Sequence, residues 1–266
     1  MTARIAHLSD LHFGRDRPEL AEPLAEAINA AGVELVVVSG DLTQRARHAQ
    51  FRAARAFLDR LDAPILAVPG NHDTPLDNVA VRMVRPWARY RRHISRDLQP
   101  THAGDGYVVC GLNSADPRAL QRGRLRWSAL AHAERCLSAP REGRGLGIVA
   151  LHHPPEDAPG VTKRPMRGVS TGLRVLSARG ADILLCGHLH VWRASPVQAA
   201  AGLLLVQAGT GLSTRVRGEP NDFNVLTLDP SAVTIERLGA SDAGDRFETL
   251  SRSRFEKVSD RWQAAR

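Results

Sequence analysis

The chain has 266 residues, 43% hydrophobic and 24% charged, with a formal net charge of +8. These proportions exclude a disordered tail, a collagen-like repeat and a small disulfide scaffold, and the length suffices for a full hydrophobic core in one large or two small domains. Cys110, Cys136 and Cys186 are odd in number and lack a C-x-x-C pair, which argues against a disulfide framework and against a cysteine zinc site.

The first half alternates strands and helices. Residues 4–9 read as a strand, and residues 18–31 as a helix with Pro18 near its start and Gly32 just beyond its end. Leu35 to Val38 is a continuous apolar run typical of a strand buried on both faces. Residues 47–61 carry Phe51, Ala54, Phe57 and Leu58 at helical spacing, and Ile65 to Val68 is the next strand. This β-α-β-α-β order predicts a parallel sheet with crossover helices. An arginine-studded segment, 76–95, follows and is expected to be helical after Pro75.

Tyr107 to Leu112 reads as a strand and 122–137 as a helix. Further strands fall at Leu146 to Leu151, Asp182 to Cys186, Leu203 to Gln207, Phe223 to Leu228 and Val233 to Leu238. The last of these are not separated by helices, so antiparallel pairing is expected among them. The pattern predicts two packed sheets flanked by helices, in one domain over residues 1–239. Residues 240–266 form a polar, basic tail, either an extra strand around Phe247 to Val258 or an arm.

No apolar run approaches the roughly 18 residues of a membrane span, and the N-terminal residues lack a signal peptide's apolar stretch. No membrane insertion and a cytoplasmic location are therefore expected. Of the 36 basic residues only Lys163 and Lys257 are lysine; the rest are arginines spread along the chain, a pattern of codon bias rather than of a nucleic-acid patch. A basic field nonetheless favours anionic ligands.

Six of the 11 histidines lie in short motifs that directly follow strands. The motifs are Asp10-Leu11-His12, Gly40-Asp41, Gly70-Asn71-His72-Asp73, His152-His153-Pro154 and Gly187-His188-Leu189-His190. Loops after the carboxyl ends of strands converge on one crevice in an α/β sheet, so separate motifs become neighbours. Asp10, His12, Asp41, Asn71, His152, His188 and His190 offer oxygen and imidazole donors and no thiolate. That is too many for one tetrahedral zinc and suits two divalent ions of higher coordination. Such a pair, about 3.5–4 Å apart, clamps a phosphate and activates a bridging water.

The ordered set of motifs resembles the calcineurin-like metallophosphoesterase superfamily over residues 3 to 239. The opening Ser9-Asp10-Leu11-His12-Phe13-Gly14 and the His152-His153-Pro154-Pro155 run look most like the class III cyclic-nucleotide and glycerophosphodiester phosphodiesterases. The resemblance implies a four-layer αββα sandwich of two mixed sheets, and a phosphodiesterase in which a metal-bridging hydroxide attacks phosphorus. It implies one ion on Asp10, His12, Asp41 and His190, and a second on Asp41, Asn71, His152 and His188. The ions would be iron or manganese, with zinc open. By the same resemblance His72 touches the phosphate and protonates the leaving oxygen, while Asp73 holds its ring nitrogen. Asn71, His72 and His153 would meet the substrate, and His153 is the alternative to His152 as ligand.

The expected partner is a small anionic phosphoester, with polymeric nucleic acid disfavoured and a homodimer compatible with relatives. Phosphomonoesterase, exonuclease-like hydrolase and non-catalytic scaffold remain as competing readings. A protein phosphatase does not fit, because Gly40-Asp41 is followed by Leu-Thr-Gln-Arg and the third motif ends in Asp73. Among the remaining polar residues, His7 is expected to be a core imidazole. Arg82, Arg85, Arg89, Arg91 and Arg92 are expected either to steer an anion or to form a solvated face. Asn113, Ser114, Lys163 and Arg164 are candidates for the substrate side.

Overall fold

The structure is a computed structural model that describes residues 2–138, 145–157 and 164–265. In chain order its first elements are β1 (Ala3–Leu8), α1 (Ala21–Ala30), β2 (Leu35–Val38), α2 (His48–Leu58), β3 (Ile65–Ala67), α3 (Val79–Val84) and α4 (Ala88–His93). Next come β4 (Thr101–Gly104), β5 (Tyr107–Leu112), α5 (Trp127–Leu137), β6 (Leu146–Leu151), α6 (Val169–Ala178) and β7 (Ile183–Cys186). The chain ends in β8 (Arg193–Val197), β9 (Ala200–Gln207), β10 (Asp222–Asp229), β11 (Ala232–Ala240), β12 (Phe247–Val258) and β13 (Arg261–Ala264).

Two mixed sheets result, ordered β13-β12-β11-β10-β1-β2-β3 and β4-β5-β6-β7-β9-β8. Side chains alternate along a strand, and the apolar runs use both faces. Ile5, Leu35, Val37 and Leu66 of the first sheet pack against Val109, Ile148, Ile183 and Leu204 of the second. Ala6, Leu8, Val36 and Val38 point the other way, onto Leu24 and Ile28 of α1 and Phe51 and Phe57 of α2. On the far side Cys110, Val149 and Leu184 meet Leu130 of α5 and Leu173 of α6. This is the expected αββα sandwich, and its doubly buried strands explain why the runs are continuous rather than alternating.

Several boundaries differ from expectation for identifiable reasons. The 76–95 segment is two short helices, because Pro86 forces Arg85 out of helical geometry at φ −137° and ψ 56°. The helix expected from residue 122 starts at Trp127, since Arg124 and Leu125 spend their backbone N–H groups on the carbonyls of Ser114 and Arg167. The strand around Leu203 pairs parallel with β7, not antiparallel; the chain reaches it through β8, which takes the outer edge. Pro196 lies in that edge strand, where a missing N–H is tolerated, and it hides the strand in the sequence. The edge strand β4 and the helix α6 are likewise unanticipated. Residues of the tail form β12 and β13, which extend the first sheet antiparallel to β11.

Candidate active site

Every motif leaves the carboxyl end of a strand that is parallel to its neighbour: β1, β2 and β3 in one sheet, β6 and β7 in the other. The two sheets face each other, so the five loops share one rim. The turns there are unusually tight. Asp10, His12, Asp41, His188 and His190 all have positive φ, from 50° to 72°, although none is glycine. Left-handed backbone costs a non-glycine residue about 1 kcal/mol or more, and such strain clusters at functional sites. The glycines between them permit close approach. A Cβ on Gly187 would collide with Ser9 and Asp10, and Gly40, at φ +99°, lies against Gly70 and the ring of His152.

The turns aim donor atoms at one another. Asp10 Oδ1 lies 3.0 Å from His190 Nε2 and 3.4 Å from His12 Nε2. The two imidazole nitrogens are 3.1 Å apart. Asp41 Oδ2 lies 3.7 Å from His12 Nε2 and 3.2 Å from His152 Nε2. The second carboxylate oxygens are held elsewhere: Asp10 Oδ2 accepts from Ser9 Oγ and the His188 N–H, and Asp41 Oδ1 accepts from the His72 N–H at 2.8 Å. One oxygen of Asp41, rather than both, therefore faces the two histidine groups. His188 lies edge-on to His152, with ring centroids 5.1 Å apart.

Outer partners fix which imidazole nitrogen faces inward. His152 Nδ1 donates to the Ser39 carbonyl at 2.9 Å, and His190 Nδ1 donates to the Arg215 carbonyl at 2.8 Å. Both leave Nε2 facing the cluster. Asp10 Oδ1, Asn71 Oδ1 and His152 Nε2 are buried with no hydrogen-bond partner among the described residues. Burying acceptors unpaired is costly, and acceptor atoms converging from several chain segments fit a cation. Groups close enough to hold one are Asp10, His12 and His190; Asp10, Asp41 and His152; His12, Asp41 and His72; and His152, His153 and His188. The donor set is oxygen and nitrogen, as expected for hard or borderline metals.

Burial alone would raise the Asp41 carboxyl, but the imidazoles of His152, His72 and His12 hold it well below the usual carboxylate range. Burial would depress His152, yet Asp41 and Asp10 push it up to about 9. The cluster thus has a strong local demand for positive charge.

His72 sits beside the cluster, its ring edge-on to His12 with centroids 4.9 Å apart. Its Nδ1 donates to the Gln44 carbonyl at 2.8 Å, and its Nε2 lies 3.3 Å from Arg215 Nη1. Asp73 does not hold this ring, contrary to expectation. Its carboxylate turns back into the fold, accepting from the Gly70, Leu42 and Thr43 N–H groups and from Thr43 Oγ1. Burial and the nearby Asp41 charge push its carboxyl up to about 7. Asp73 is therefore a positioning residue that ties the second motif to the third.

His153, with His152 and His188, belongs to a group close enough to hold an ion. Its Nδ1 pairs with Ser114 Oγ at 2.9 Å and its Nε2 with the Gln121 carbonyl at 3.0 Å, so both ring nitrogens are engaged. Of the adjacent pair, His152 is the one whose Nε2 faces Asp41. His7 is buried, as expected, and pairs with Ser39 Oγ.

The arginines after the third motif divide. Arg82 is buried, its guanidinium spent on the carbonyls of Pro117 and Ala119 and on Thr74 Oγ1, and Arg89 pairs with Asp77. Neither is available to a substrate. Instead an open cavity of about 380 Å³ over the cluster is lined by Arg15, Arg215 and Arg217, with Asn71, His72 and Gln121. The sequence reading missed these three arginines. Two of them lie in the loop after β9, which carries no motif. Lys163 lies outside the described residues; Arg164 is exposed and lines a second cavity.

The fold and the rim together define a metallophosphoesterase-type α/β hydrolase. Residues 3–192 match the calcineurin-like phosphoesterase family, and the chain belongs to it, which places it among phosphoric ester hydrolases. A probable cyclic nucleotide phosphodiesterase of Rhodopseudomonas palustris is 27% identical over 296 residues, covering 95% of this chain and 98% of the relative. A second probable cyclic nucleotide phosphodiesterase, from Synechococcus, is 27% identical over 203 residues, 71% of this chain and 74% of that one. Among solved structures, a purple acid phosphatase from yellow lupin seeds superposes with a TM-score of 0.71 at 14% identity over 96% of this chain. The chain spans about half of that protein, 53%. PhoD superposes with a TM-score of 0.73 at 10% identity, covering 100% of this chain and 72% of that one. At these identities the structural likenesses show the fold alone. Among the described residues no helix is long and apolar enough to cross a membrane.

Proposed function

We propose that the protein is a metal-dependent phosphodiesterase acting on a small anionic phosphodiester, of the cyclic-nucleotide or glycerophosphodiester class. The observation that carries the reading is the position of Asp41 Oδ2 between His12 and His152, 3.7 and 3.2 Å away. Asp10, His12, Asp41 and His190 would hold one ion, and Asp41, Asn71, His152 and His188 a second, with Asp41 common to both. Bound there, iron, manganese or zinc would neutralise phosphoryl oxygens and lower the pKa of a coordinated water.

The chain's own groups do the rest. Arg15, Arg215 and Arg217 attract the anion into the cavity and orient it, a task suited to the guanidinium fork. The Gln44 carbonyl fixes the His72 ring, so that Nε2 faces the cavity; with Arg215 turned to the phosphoryl group, Nε2 is free to take up a proton and pass it to the departing alkoxide. Arg215 lies close enough to His72 for both to meet one phosphoryl group. Asn71 presents its side-chain amide from the same loop, donating through Nδ2 to the Leu120 carbonyl at 3.2 Å.

The test pairs metal analysis with turnover. Protein purified without chelator is expected to carry two equivalents of iron, manganese or zinc and to hydrolyse bis(p-nitrophenyl) phosphate. Asp41→Ala should lose both metal and turnover, whereas His72→Ala should keep its metal and lose rate by about 10²–10⁴-fold. Metal-free wild-type protein with full activity would sink the reading.

A further inference from the structure

A second cavity, about 570 Å³, opens beside the first and is lined by Arg122, Arg164 and Arg167 together with Ala119 and Leu120. Gln121 and His188 line both cavities, so the second borders the first beside the metal-ligand cluster. No aspartate or glutamate lines the second cavity. Among the described residues none of its three arginines makes an ion pair. The backbone around Arg167 is nonetheless fixed. The Arg167 N–H donates to the Gly123 carbonyl, the Leu125 N–H donates to the Arg167 carbonyl, and Arg124 and Arg167 form a parallel bridge. Arg122 Nε donates to the Pro165 carbonyl at 2.8 Å, bracing one arginine-bearing loop on the other.

Three guanidinium groups without an ion pair among the described residues favour an anion in this cavity. The anion cannot be the scissile phosphoryl group, which the first cavity serves with Arg15, Arg215 and Arg217. Leu120, 71% exposed, adds an apolar surface to the second cavity.

Resting on the phosphodiesterase reading above, we infer that the second cavity is a subsite for a remote anionic group, so that the preferred substrate is a phosphodiester bearing a second phosphate or comparable anion. Choline-type headgroups, whose remote end is cationic, are disfavoured at this site.

The test measures binding first. Calorimetric titration of the metal-loaded protein with adenosine monophosphate and with an adenosine bisphosphate phosphorylated at both ends of the ribose isolates the second anion. The bisphosphate is expected to bind at least about tenfold more tightly. Arg164→Gln/Arg167→Gln should bring the ratio towards one, and Arg167→Glu should push it below the double variant's value. These side chains are exposed, so the fold is expected to survive. A wild-type ratio near one, or a ratio that survives the double substitution, overturns the inference. Turnover of the p-nitrophenyl ester of thymidine monophosphate, with the remaining sugar hydroxyl free or phosphorylated, separates the two readings. If neither ester is hydrolysed while the binding ratio holds, the phosphodiesterase reading fails and the subsite is supported. If both are hydrolysed at equal kcat/KM and the binding ratio is one, the subsite fails and the phosphodiesterase reading stands.

Discussion

Arg215 Nη1 lies 3.3 Å from His72 Nε2, joining two residues 143 positions apart at the mouth of one cavity. The Arg215 carbonyl also accepts from His190 Nδ1, so one residue touches the cluster through its backbone and the cavity through its side chain. Arg215→Ala removes only the second contact. A charge-assisted hydrogen bond is worth about 1.5–3 kcal/mol, so kcat/KM for bis(p-nitrophenyl) phosphate should fall about ten- to hundredfold, mainly through KM. Metal content should stay at the wild-type level. A loss of metal would show instead that the loop, not the guanidinium, was disturbed.

Asp73→Asn tests the tie between the second and third motifs. The carboxylate accepts from four donors, and an amide would set an N–H against at least one of them. The expected cost is on the order of 2–4 kcal/mol, from several unmade buried hydrogen bonds. Urea unfolding measures it directly. His72 keeps its Gln44 partner in this variant, so the pH dependence of kcat should hold its shape even where its height falls. A changed profile with unchanged stability would restore Asp73 to the role first expected of it.

Asp222 provides a pH dependence away from the cluster. Burial pushes its carboxyl up to about 6, while Arg237 pulls the other way. Between about pH 4 and 6 the unfolded chain releases this proton and the folded chain keeps it. Unfolding free energy therefore falls as pH rises through that window, by on the order of 3 kcal/mol in total. Asp222→Asn also weakens the pairing with Arg237, so its absolute stability is not the readout. The stability difference between wild type and variant, followed by denaturant titration from pH 4 to 7, should shift against the wild type as pH rises. A flat difference would refute the linkage.

Ser259 and Asp260, with φ of 48° and 59°, form the turn between β12 and β13. Two consecutive positive φ values are the type I′ pattern, which Asn-Gly suits best. Ser259→Asn/Asp260→Gly should add about 0.5–1 kcal/mol and raise Tm by about 1–4 °C. Differential scanning calorimetry checks this. Turnover should be unaffected, because the hairpin extends the far edge of the first sheet.

The site was legible where chemistry sits directly after a strand. Asp10, Asp41 and His188 follow apolar runs whose type was readable, and the rule about carboxyl ends then placed them together. Arg15, Arg215 and Arg217 were not legible, because their loops carry no periodicity and arginine is common throughout this chain. Arg82 shows the reverse error. Its charge suggested solvent or substrate, yet backbone carbonyls two loops away absorb it, and no local pattern encodes that. Asp73 was misread for a related reason: adjacency in a motif says nothing about which way a side chain turns. In the fold, Pro196 concealed an edge strand and Pro86 split a helix, two effects of one residue type that only the sheet order distinguishes.

The left-handed turns at Asp10, His12, Asp41, His188 and His190 have a consequence for any effort to harden this protein against heat. At each position glycine would relax the main chain, and on the proposed assignment it would also delete a metal-ligand atom. Thermal tolerance and reactivity are thus set against each other at the same five dihedrals. Selection for heat resistance alone would drift towards glycine there and arrive at a sturdier, inert shell.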